Sequence, residues 1–331
     1  MAKIVLGIGS SHTPQVSSSA PGWGGHAQRD QANPALLDAE GELRSYEELL
    51  AAGPLPGIED ELAPEVWEAK FDRAQQAIDV LAKRLAACDP DVVVVVGDDQ
   101  QELFGKTGNP AIGLFLGEEL WDLPLSEERR ARMPADIRPA QWAAHAGTPD
   151  AYPVATARSA ALAESLTGAG FDVTVLSEQP EGRSLGHAFT FVRRRLGLSS
   201  STPIVPVFLN TYYPPNVPSP ARAFHLGQAI AEAVAGWPGA ERVAVVASGG
   251  LSHFVVLEEL DRAVLDALAR HDGEALGQIP RKLLRTGTSE ILNWIAAGGA
   301  LGGLSFELVD YVPGYRSPAG TGCGMAFAAW S

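Results

Sequence analysis

Residues 92–96 are five valines in succession, Val92 to Val96, with nothing polar between them. A β-branched run favours extended backbone, and the lack of alternation means that both faces of the strand must be covered. Such a strand belongs inside a sheet flanked by helices, so an α/β fold is expected. The residues upstream agree. Trp67, Phe71, Ala74, Ile78, Leu81 and Leu85 recur at steps of four and three, which makes one apolar helical face. That helix should end at Asp89-Pro90, because proline disfavours helical geometry in the residue before it.

The same alternation of strand and helix runs through the chain. Further strands are expected at Lys3–Ile8, Ala111–Leu116, Phe171–Leu176, Ile204–Leu209, Arg242–Ala247 and Ser305–Tyr311. Helices are expected at Thr156–Ala169, Ala221–Ala235, Leu257–Arg270 and Ser289–Ala297. Residues 20–60 are polar and broken by Pro and Gly, with one short helix near Ser45–Ala51, where Ser45 and Glu48 have capping-box spacing. That segment reads as an insertion or lid. No linker or internal repeat divides the chain, so residues 1–331 are expected to form a single domain. Its architecture would be a central mixed sheet covered by helices on both faces.

Composition narrows the function. Hydrophobic residues are 46% of the chain, enough for a substantial core, and 25 Lys+Arg against 40 Asp+Glu leave a net charge of −15. That balance argues against a nucleic-acid partner, which requires a basic face. Met1–Ile8 has one Lys and only a short apolar run, below a signal-peptide core. No apolar stretch approaches the roughly 20 residues of a membrane span. With only two cysteines, Cys88 and Cys323, a reducing, cytoplasmic location is expected.

Ligand sites in α/β sheets collect beyond the carboxyl ends of strands. Those ends read Ser10-Ser11-His12-Thr13-Pro14, Gly97-Asp98-Asp99-Gln100-Gln101-Glu102 and Ser248-Gly249-Gly250-Leu251-Ser252-His253, with Gly186-His187 in a further loop. A loop histidine is usually a plain hydrogen-bonding residue, Asp98-Asp99 is equally well a helix cap, and Gly249-Gly250 is consistent with a tight turn of positive φ. The coincidence of His, Asp/Gln and His at successive strand ends favours a site. His225 and His271 fall on expected helix surfaces, His145 in a polar loop, and His26 within reach of a cleft. Phosphate-binding patterns are poor: Gly7-Ile8-Gly9 lacks the third glycine of a dinucleotide fingerprint, and there is no P-loop or nucleophile elbow.

Taken in order, Ser-Ser-His-x-Pro at residues 10–14, the strand ending in Gly97-Asp98-Asp99, Gly249–His253, and Ser289-Glu290 with Trp294 resemble the class III extradiol ring-cleavage dioxygenases. Leu209–Pro215 and Thr286–Leu301 extend the resemblance, which runs from Ile4 to Phe327. The protocatechuate 4,5-dioxygenase beta-subunit type is similar. The long early segment and the Pro318–Gly322 ending look more like the gallate and 3-O-methylgallate branch. The resemblance implies a non-haem Fe(II) held by two histidines and a glutamate. His12 then matches the first histidine ligand and Glu290 the carboxylate. His253 matches the acid–base histidine, and His187 the histidine that hydrogen-bonds the bound ligands. Where the family has Asn-Asp-His, this chain has Asp98-Asp99-Gln100, so Gln100 stands in the second histidine's place, or Gln101 if the frame slips by one. Asp99 or His26 is an alternative completion of the shell. An amide oxygen is a weaker, harder donor than imidazole, which opens the site to Mn or Zn as well as Fe(II).

The expected partners are a small aromatic substrate and O2, with a homodimer implied by family habit. Asp99, Tyr212 and Arg316 are substrate-binding candidates, with Arg29 a second cation for a carboxylate; Trp23 and Tyr213, like Tyr212, could supply aromatic walls. Two other functions share this cleft: a metal-dependent hydrolase or lyase using bound water, and a non-catalytic phenol-binding subunit whose site is degenerate at Gln100.

Overall fold

The valine run is a middle strand of a mixed sheet. A computed structural model describes residues 1–53, 55–106 and 108–331, and among them nine strands share one sheet. They are β1 (Lys3–Ser10), β2 (Val92–Gly97), β3 (Ile112–Phe115), β4 (Thr174–Leu176), β5 (Ile204–Leu209), β6 (Arg242–Ser248), β7 (His253–Val255), β8 (Phe306–Tyr315) and β9 (Thr321–Trp330). Strands β1, β6, β2 and β5 lie side by side in that order and parallel. β3 is antiparallel to β5, and β4 is parallel to β3. On the far side β9 runs antiparallel to β1 and β7 along one edge and to β8 along the other.

Helices cover both faces. α1 (Pro64–Cys88) and α3 (His187–Arg194) pack on one, and α2 (Thr156–Gly168), α4 (Pro220–Gly236), α5 (Glu258–Ala269) and α6 (Ile291–Ala300) on the other. The strand period of two sorts the valines between them: Val93 and Val95 face the α1 side, while Val92, Val94 and Val96 face α4 and α6. Helix α1 starts on Pro64 and ends at Asp89, which has the left-handed φ of 43° before Pro90. Its expected apolar face is turned inward, with Ala74, Ile78, Leu81 and Leu85 fully buried.

Three expectations need correction. Residues 20–60 contain more than the short helix Tyr46–Ala51, whose Ser45–Glu48 capping box is formed. A helix at Trp23–Gln31 buries Trp23, His26 and Asp30, and a small hairpin pairs Leu36–Leu37 with Leu43–Arg44. The final strand β9 is not expected from sequence, because Thr-Gly-Cys-Gly-Met-Ala is poor in strand-forming residues; pairing along both edges holds it extended. Helix α3 is also unforeseen, being only eight residues long behind Gly186. No helix among the described residues is long and apolar enough to cross a membrane.

Candidate active site

Four parallel strands end on the same side of the sheet, and the loops beyond those ends converge. β1 leads into His12, β2 into Asp98-Asp99-Gln100, β5 into Asn210-Thr211-Tyr212, and β6 into Gly249–His253. Helix α6 contributes Glu290, the residue before its first turn. A cavity of about 810 Å³ opens here, bordered by His12, Gln100, His187, Tyr212, His253 and Glu290 among others.

His12 is held by Ser248, with Nδ1 and Oγ 3.0 Å apart. With Nδ1–H donating to the hydroxyl, Nε2 carries the lone pair. That Nε2 is buried without a hydrogen-bond partner, although Glu290 Oε2 is 3.2 Å away. The two atoms are close yet not aligned for an N–H···O bond. Two ligand atoms each about 2.1 Å from one ion, at right angles, stand ~3 Å apart, so the spacing and the orphaned lone pair fit a shared divalent cation. The donor atoms of His12, Asp98 and Glu290 all lie within 4.8 Å of one another, and all three residues are buried.

Glu290 is fixed from several sides. Its Oε2 accepts from Gly250 N at 2.8 Å, and Gln100 Nε2 donates to Oε1 at 3.4 Å. Burial alone would raise its pKa, but His253 and His12, when protonated, hold the carboxyl well below its ordinary range. Burial, then the charge of Glu290, pushes Asp98 upward. The next turn of α6 is tied to the β6 loop: Asn293 Nδ2 donates to Ser248 O (3.0 Å) and Asp98 Oδ1 (3.2 Å), and Trp294 Nε1 donates to Gly249 O (2.8 Å).

His253 Nδ1 donates to Leu251 O at 2.9 Å, which leaves Nε2 as the basic nitrogen, 3.6 Å from Glu290 Oε2. The glycines before it make room rather than a positive-φ turn. Neither Gly249 nor Gly250 has a left-handed φ, and a Cβ on Gly250 would lie 2.0 Å from the His253 ring. Phe254, the residue after His253, has a φ of 67°, a strained conformation for an aromatic residue.

His187 packs edge-on against His12, with ring centroids 4.6 Å apart. Its Nδ1 meets Glu102 at 2.9 and 3.0 Å, and its backbone N–H also donates to Glu102. Burial would lower the His187 pKa, but Glu102 outweighs it and lifts the imidazole to about 10; burial would raise Glu102, but His187 draws it down to about 2. Behind them His145, buried rather than loop-exposed, lies 3.9 Å from Glu102 and 3.1 Å from Asp122. Sequence reasoning misses Glu102, His145 and Asp122 as members of the site. Only Glu102, at the end of the Gly97–Glu102 strand-end motif, carries a signal.

The substrate candidates fare unevenly. Tyr212 borders the cavity, where burial, then Glu290, raises its phenol. Asp99 is a correction: its carboxylate caps the loop, accepting from Leu103 N (2.8 Å) and Phe104 N (3.2 Å). Arg316 also needs correcting. It borders the cavity, but its guanidinium is committed to Asp30 (2.6 and 2.9 Å) and to Gln15 Oε1 (2.9 Å), which leaves no free face for a carboxylate. The half-exposed Arg29 also borders the cavity, 3.4 Å from Asp136. Gln100 borders it as well, but turns its amide nitrogen, not its oxygen, to Asp98 Oδ2 (3.3 Å) and Glu290. His26 has both ring nitrogens engaged, by Asp136 and Ser18, and does not belong to the donor group of His12, Asp98 and Glu290.

Residues 55–325 match the protein-family model described as the catalytic LigB subunit of aromatic ring-opening dioxygenase. No curated protein matches the chain.

Proposed function

The chain belongs to the catalytic LigB subunits of aromatic ring-opening dioxygenases, and from that premise we propose a non-haem Fe(II)-dependent extradiol dioxygenase acting on a catechol-type phenolic acid of the protocatechuate, gallate or methylgallate kind. The observation that carries this reading is the orphaned Nε2 of His12 beside Glu290, with the basic nitrogen of His253 facing the same carboxylate. Bound between His12 and Glu290, Fe(II) would supply the electronic link between an electron-rich diol and triplet O2, which otherwise react slowly.

The protein's own groups do the rest. His253 Nε2 takes the proton from one substrate hydroxyl, since a catecholate is a far better donor than a catechol. It gives the proton back as the ring opens, a shuttle suited to imidazole near neutral pH. His187, kept cationic by Glu102, stabilises negative charge on oxygen in the same cavity. Tyr212 forms part of the wall against the ring, and Arg29, which also borders the cavity, is a cation for a substrate carboxylate. Both atoms of one O2 enter the product, and the bond broken lies beside the two hydroxyls, giving a muconic semialdehyde-type acid.

Protein loaded anaerobically with Fe(II) and offered a panel of catechols on an oxygen electrode tests this. One O2 consumed per diol on at least one phenolic acid is expected. Metal-loaded protein that consumes none across the panel would overturn the assignment.

A further inference from the structure

We infer that Asp98 is the third protein ligand of the metal, so that the centre is built from one histidine and two carboxylates; the inference rests on reading His12 and Glu290 as ligands. Strand β2 directs it there. Val92, Val94 and Val96 face the α6 side, and two residues on from Val96 the same alternation turns Asp98 toward the start of α6, where Glu290 stands. Asn293 fixes that orientation from α6 by donating to Asp98 Oδ1. The result is three buried donors within 4.8 Å of one another, one of them the unpartnered His12 Nε2 aimed among them.

Gln100 has a different part. Its amide nitrogen lies 3.3 Å from Asp98 Oδ2 and 3.4 Å from Glu290 Oε1. Exchanging the amide's oxygen and nitrogen would set an acceptor against two carboxylate acceptors, which is repulsive. Gln100 therefore bridges the carboxylates as a donor. Two carboxylates neutralise a divalent ion that two histidines and one carboxylate leave at +1. An oxygen-rich set of this kind suits a harder ion such as Mn(II).

Mn(II) alone is a sufficient probe. Crystals of the full chain soaked in Mn(II) should place the anomalous peak within roughly 2.0–2.3 Å of an Asp98 carboxylate oxygen, with Gln100 Oε1 outside that range. A peak bound by Gln100 Oε1 with Asp98 beyond reach overturns the inference. In solution, Mn(II) titrations followed by electron paramagnetic resonance should show Asp98→Asn weakening binding as much as Glu290→Gln does, and at least tenfold more than Gln100→Ala. The reverse order would also overturn it, and the wild-type crystal decides the matter if Asp98→Asn does not fold. Ring opening with the metal on Gln100 would sink this inference and leave the dioxygenase reading intact. Metal on Asp98 without any ring opening would do the opposite.

Discussion

His253 has one ring nitrogen committed to a backbone carbonyl and the other free toward Glu290, so its substitution separates proton transfer from metal binding. His253→Ala should lower turnover by about 10²–10⁴ while bound metal, measured by elemental analysis, stays at the wild-type level; joint loss of metal and turnover would remove His253 from the acid–base role. His26 gives a pH effect at the same scale. Burial and the nearby charge of Arg316 press its pKa down to about 4, against the pull of Asp136. The unfolded chain takes up this proton first, near pH 6.5, so the stability tied to neutral His26 is complete above 6.5 and drains away as pH falls toward 4. The loss is on the order of 3 kcal/mol. Urea unfolding at pH 7.5 and pH 5 should show a pH slope that His26→Gln flattens, and an unchanged slope would refute the linkage. Among single residues, Asp98 is the instructive miss. Sequence alone pairs it with Asp99 as a cap, and capping is what Asp99 does. The period-two pattern through Val92, Val94 and Val96 already assigns Asp98 to the α6 side.

At the scale of elements, the position of Glu290 depends on how closely α6 lies against α4. A Cβ on Gly227 of α4 would lie 1.8 Å from the carbonyl oxygen of Ala296 in α6, whereas a Cβ on Gly236, at the end of α4, meets nothing within 4 Å. Gly227→Ala should therefore cost about 1–3 kcal/mol and weaken metal binding, because α6 shifts with Glu290 attached. Gly236→Ala should change neither. Thermal melts and Mn(II) titrations on the pair check this, and equal behaviour of the two variants would contradict it. The elements legible in the sequence carry a strong internal pattern: the valine strand, the amphipathic α1 and the Ser45 capping box. β9 and α3 are not legible, because contacts from distant strands and helices make them. Ala326 and Ala328 are weak strand formers, and pairing along β8, with β1 beside Phe327 and Ala328, holds the segment extended.

Across the whole molecule, the site exists because a parallel sheet gathers its strand ends on one side, which brings His12 to within 3.2 Å of Glu290 across most of the chain's length. That gathering can be foreseen from the alternating strands and helices. His12, His187, His253 and Glu290 are identifiable in the sequence, and all four side chains border one cavity. The pairings around them, Ser248 with His12 and Glu102 with His187, are not visible there, since nothing local encodes which distant side chains meet. A cation clasped between such separated segments should stabilise the entire fold. Mn(II) at a hundred times its Kd should add about 2.7 kcal/mol, read as a raised unfolding midpoint that is absent in Glu290→Gln. Isotope-labelled oxygen then tests the chemistry most directly. Fe(II)-loaded protein turning over a phenolic diol under ¹⁸O2 should yield an opened-ring acid carrying two labelled oxygens per molecule, whereas an intact ring, or an opened product whose new oxygens come from water and carry no label, would contradict dioxygenase action.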